Sequence, residues 1–111
     1  MLTGGFKTWE QAQAAVSDGI VDVVGLARTL ALEPSLPNTW KEGQHLAPVF
    51  PRFTDAPEGG GTAWYTMRLT EIGNDIDYSD NRDLVVSLKE NEIRDSVRTK
   101  IWQKHFASKT R

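Results

Sequence analysis

Two short stretches of this 111-residue chain hold the residue types of an anion cradle. Thr3-Gly4-Gly5-Phe6 leaves one apolar segment, and Gly25-Leu26-Ala27-Arg28 leaves another. If those segments are neighbouring parallel strands, both turns lie at the same carboxyl edge, side by side. Gly4 and Gly5 let the backbone come close to a ligand with no Cβ in the way. Ala27 is small, and a helix starting near Arg28 offers its first amides and the positive end of its dipole. Arg28 adds a charge-assisted, bidentate contact. Phosphate is the anion such cradles most often hold. The same four residues also read as tight-turn glycines and a surface arginine, and spacing alone leaves both readings open.

Other constellations fail on their own geometry. Asp75, Asp77, Ser79, Asn81 and Asp83 alternate like calcium ligands. The sixth position is Asp80 where glycine is needed, and the twelfth is Val86 where a bidentate Glu is needed. A solvated turn fits better. His45 and His105 have no partner at metal-ligand spacing, so both read as packing or surface residues. Gly59-Gly60-Gly61 is not followed by Lys and Ser or Thr, so it is no P-loop. No serine sits in a nucleophile elbow. Trp9, Trp40, Trp64 and Trp102 stand singly in helical contexts, where aromatics are core or interface anchors first.

Composition narrows the classes further. The chain has no cysteine, which excludes a disulfide framework, a Cys-ligated metal and a thiol nucleophile. Four Trp and four Phe are more anchors than a disordered segment carries, despite a mean hydropathy of −0.45. No apolar run reaches the roughly 20 residues that span a bilayer, so no membrane association is expected. The amino terminus has no secretory pattern, which points to a cytoplasmic protein. A net charge of −2 and a pI near 5.6 give no reason to expect nucleic acid. That charge is unevenly spread, with +5 on residues 94–111 and −7 on the first 93. A basic end of this kind reads first as a solvated face that complements a helix dipole.

The elements that must position the cradle read as α/β in residues 1–37. Strands are expected near 1–4 and 20–25, the second apolar on both faces as a covered parallel strand demands. Between them, Thr8 stands three residues before Gln11, the spacing of a capping box, and Asp18-Gly19 stops the helix. Arg28 to Glu33 is helix-compatible until Pro34. Residues 38–61 begin with a possible short helix ending at Gly43 and continue as an irregular Pro- and Gly-rich connection. Residues 62–111 read as a helical extension, with one helix over Thr62–Ile72 and one or two more from Asn81 onward. Ser79 or Asp80 is a candidate cap for these, and the apolar phase slips near Glu90-Asn91.

Three phrases now carry a resemblance. They are Met1-Leu2-Thr3-Gly4-Gly5-Phe6, Val21-Asp22-Val23-Val24-Gly25-Leu26-Ala27-Arg28 and Leu32-Glu33-Pro34-Ser35-Leu36-Pro37, with an Ala-rich helix after the first. This wording resembles the end of the FMN-dependent barrel of the old yellow enzymes and NADH:flavin oxidoreductases. The resemblance covers residues 1–37 and extends more softly to Trp64-Tyr65 through Ile72. It implies a fold class, the C-terminal β-α-β-α segment of a TIM barrel followed by a mostly helical tail. It also implies roles: Gly4 and Gly5 after one strand, and Ala27 and Arg28 after the next, bind the FMN phosphate. Many members carry Gly at the position of Ala27, and Ala still offers its amide. The implied activity is hydride transfer from NAD(P)H through FMN to an activated alkene.

A complete barrel of this type has eight strands and about 250 residues. The family's catalytic Tyr, its substrate-anion ligands and most flavin contacts lie on earlier strands, which this chain does not contain. The expectation is therefore a C-terminal portion that supplies part of the phosphate site and is inactive alone. Two parallel strands leave open edges, so the remainder of the barrel, another chain, a second copy or the chain's own helical tail is expected to cover them. The contrasting expectation is a freestanding, non-enzymatic α-rich binding or oligomerisation module whose working surface is the long C-terminal helix.

Overall fold

Thr8 opens the first helix with the reciprocal bonds its spacing predicts. Its Oγ1 accepts from the Gln11 amide at 3.2 Å, and Gln11 Oε1 accepts from the Thr8 amide at 3.3 Å and the Lys7 amide at 2.8 Å. The structure is a computed structural model that describes residues 1–76 and 82–107. The elements are β1 (Leu2–Thr3), α1 (Trp9–Ser17), β2 (Val24–Gly25), α2 (Arg28–Leu32), α3 (Leu36–Lys41), α4 (Gly60–Gly73) and α5 (Leu84–His105). They fall into two compact units, residues 1–52 and 53–111.

The first unit corrects the expected fold class. β1 and β2 are parallel, pairing Leu2 with Val24 and Thr3 with Gly25, but each is two residues long. The described residues are mainly helical, and no β-α-β-α barrel segment with strands over 1–4 and 20–25 is present. The reason lies in burial. A strand apolar on both faces holds its conformation only when both faces are covered. Here Ile20 is 68% and Val23 55% exposed, so the apolar run contributes little beyond its last two residues. The buried side chains sit on the helices instead: Ala15 of α1, Thr29, Ala31 and Leu32 of α2, and Leu36 of α3. Gly43, with φ +88°, closes the turn after α3 as expected for a left-handed stop.

The second unit is built on α4 and α5. Gly60 permits their close approach, since a Cβ there would stand 3.1 Å from Leu84 Cδ2. Trp64 is buried, and its Nε1 donates to the Arg82 carbonyl at 3.0 Å. Phe53 and Tyr65 flank its ring at 5.6 and 4.9 Å between centroids, and the buried Arg68 guanidinium lies 5.6 Å from it. Asp83 caps α5 by accepting from the Val86 amide at 2.8 Å. The cap is thus Asp83 and not Ser79 or Asp80 as the sequence suggests, because the helix starts only at Leu84; those two residues themselves lie outside the described residues. No break occurs near Glu90-Asn91: α5 is one helix of 22 residues. It contains neither Gly nor Pro, so the slip in apolar phase moves side chains to another face without interrupting the backbone.

Arg82 ties the two helices electrostatically. Its guanidinium pairs with Glu71 of α4, with Glu90 of α5 at 2.6 Å, and donates to Ser87 Oγ at 3.2 Å. The Arg82 and Glu71 side chains are only 13% and 18% exposed, so loss of one partner strands a poorly solvated charge. Arg82→Met is expected to cost about 2 kcal/mol in urea unfolding of this unit, below the ~3–5 of a fully buried pair. Adding Glu71→Gln is expected to recover part of that loss. A single variant as stable as the parent would show that the ion pairs contribute nothing.

Candidate anion site

Register is what assembles the site. Pairing of Thr3 with Gly25 places the two strand ends level, so the turns that follow open side by side. Between them lies a pocket of about 340 Å³ within the first unit, lined by Gly4, Gly5, Ala27 and Arg28 among others. All four predicted residues therefore share one cavity. Gly4 and Gly5 have φ of +100° and +77°, conformations that a side chain makes costly. A Cβ at either would meet nothing within 4 Å, so the glycines serve the path of the backbone and leave the space open.

The second turn is held from behind. Thr29, buried at the start of α2, donates its hydroxyl to the Phe6 carbonyl at 2.9 Å. This bond links α2 to the turn after β1 and sets the mouth of the pocket. α2 itself is shorter than expected for a dipole-based site. With five residues it is little more than one turn, and its N-cap Ala27 makes no side-chain capping bond. The electrostatics of the pocket therefore rest on side chains.

Three lining residues escaped the sequence reading: Lys7, Phe50 and Thr29. Lys7 borders the pocket, with Nζ 4.9 Å from the Phe50 ring centroid, and Phe50 forms part of the wall. Lys7 was legible in principle, as a cation two residues beyond the glycine pair. Phe50 was not, because it sits in an irregular Pro-flanked stretch with no periodicity. The complete lining holds two cations, Lys7 and Arg28, and no carboxylate. A lining with two cations and no carboxylate is compatible with an anionic ligand.

The remaining candidates have structural employment. His45 stacks on Trp9 with ring centroids 3.7 Å apart and planes 6° from parallel. Trp40 Nε1 donates to the Leu46 carbonyl at 2.9 Å. His105 is exposed near Phe106 at the end of α5. Of the alternating oxygen residues, Asp77, Ser79 and Asn81 lie outside the described residues. Among the described residues no group of three His, Cys, Asp or Glu could hold a metal, and no helix is long and apolar enough to cross a membrane. Set beside protein-family models, curated proteins and solved structures, the chain has no significant match in any of the three.

Proposed function

We propose that the first unit binds the phosphate of FMN and forms part of the flavin site of an NAD(P)H-dependent oxidoreductase of the ene-reductase type. One observation carries the reading: the two glycine- and alanine-bearing turns open onto a single cavity whose charged lining is Lys7 and Arg28 alone. A dianionic phosphate suits that donor set, with backbone amides at Gly4 and Gly5 and two cations at the rim. The volume lies near the bottom of the ~300–1,000 Å³ range of small-molecule sites. It accommodates a phosphate and the adjoining polyol better than a whole flavin, so the ring would be enclosed by other polypeptide. When bound in such an enzyme, FMN supplies the relay of hydride from NAD(P)H to an acceptor alkene. This chain's own part is to anchor and orient the phosphate; it carries no residue assigned to the chemical step.

A titration of the ¹⁵N-labelled chain tests this directly. FMN and inorganic phosphate are expected to shift the amides of Gly4, Gly5, Ala27 and Arg28, whereas riboflavin, which lacks the phosphate, leaves them in place. Unmoved amides with either phosphate ligand up to about 1 mM, an affinity of only ~4 kcal/mol, would overturn the reading. The second reading, an α-rich binding or oligomerisation module, is favoured by a separate observation: every residue of α5 from Asp95 to its end at His105 is exposed.

A further inference from the structure

The exposed part of α5 has a pattern of its own. Val86 is 50%, Ile93 61%, Val97 52% and Ile101 54% exposed. At 100° per residue these four side chains fall within an arc of about 80°, together with Glu90 and Lys104. Trp102 and Phe106 point to the opposite face and take no part. From Glu90 to Lys104 the stripe is symmetric about Val97, with Val86 lying beyond the symmetric part. Ile93 and Ile101 stand four residues to either side, Glu90 and Lys104 seven residues to either side.

We propose that α5 pairs with α5 of a second copy of the chain, antiparallel, about a two-fold axis at Val97. In that arrangement Ile93 meets the partner's Ile101, Val97 meets its equivalent, and Glu90 meets the partner's Lys104. Charge decides the direction. A parallel pair would set Glu90 against Glu90 and Lys104 against Lys104, and like charges at an interface are repulsive. Antiparallel pairing makes both contacts attractive and keeps Arg94 and Lys100, which flank the stripe on opposite sides, at opposite edges of the interface. Arg82 holds Glu90 by one oxygen at 2.6 Å while its side chain stays 42% exposed, which fixes the carboxylate beside the stripe. So short a contact buries less than the ~800 Å² per partner of a standard interface, so a reversible dimer is expected. The inference is independent of any ligand in the first unit.

The absence of native cysteine makes the test clean. Under mild oxidation at roughly 100 µM, a concentration that populates weak dimers, Val97→Cys is expected to form a disulfide-linked dimer. Ile93→Cys mixed with Ile101→Cys is expected to cross-link more than either variant alone. Val85→Cys, exposed on another face, is expected to cross-link no faster than chance collision. In sedimentation velocity the parent chain is expected to shift from monomer to dimer with concentration, and Val97→Asp to remain monomeric with unchanged helix content. A parent chain that stays monomeric, with Val97→Cys no faster than Val85→Cys, would overturn the proposal and assign the stripe to a different occupant. Preferential cross-linking of Ile93→Cys with itself would overturn the antiparallel arrangement.

Discussion

The chain carrying both Lys7→Ala and Arg28→Ala is expected to lose phosphate binding by about a hundredfold relative to the parent. Each cation at the rim of a solvent-open pocket is worth roughly one factor of ten, or ~1.4 kcal/mol. The gain is modest because water still screens both groups, and for the same reason the affinity of the parent is expected to fall as salt is added. Removal of either cation alone should give about tenfold, and Lys7→Arg should bind like the parent. Isothermal titration with inorganic phosphate and with FMN gives all of these numbers. Lys7 and Arg28 are exposed, so the thermal midpoint is expected to change little. A double variant that binds phosphate as tightly as the parent would remove both side chains from the site and leave only the backbone turns.

Trp64→Ala is expected to unfold much of the second unit at temperatures where the parent is folded. Trp64 is 1% exposed, bonded to the Arg82 carbonyl, and in ring contact with Phe53 and Tyr65. Truncating such a residue costs about 3–5 kcal/mol through lost burial and the cavity left behind. A unit of this size has only about 3–9 kcal/mol of total stability. The loss therefore approaches the whole, and helical ellipticity from α4 and α5 should fall sharply. Trp64→Phe keeps most of the apolar surface and loses the indole donor, so about 1 kcal/mol is expected. Equal melting of the alanine variant and the parent would show that α4 and α5 hold together without this anchor.

Local chemistry was legible wherever short-range rules decide the outcome. The capping box at Thr8 and Gln11, the left-handed stops at Gly19 and Gly43, and the helix of α4 all depend on neighbours within a few residues. The grouping of Gly4, Gly5, Ala27 and Arg28 was legible because parallel pairing of two segments joined by one helix brings their carboxyl ends level. The extent of the strands was not. Ile20 to Val23 has the composition of a covered strand, yet strand formation depends on a covering layer that composition cannot supply. Resemblance to a barrel ending carried an expectation of sheet, and the described residues are mainly helical.

The sequence by itself determined the capping box at Thr8, the glycine turns, the helical character of the carboxyl half and the uneven distribution of charge. Each follows from side-chain chemistry acting over one or two helical turns. Only the tertiary structure decided that the strands stop at two residues, that Lys7 and Phe50 join the pocket, and that Arg82 binds Glu71 and Glu90. It also decided that α5 runs past its packing partner and leaves Ile93, Val97 and Ile101 in water. These outcomes depend on which surfaces meet across long separations in the chain, and contact between distant residues leaves no mark on local periodicity.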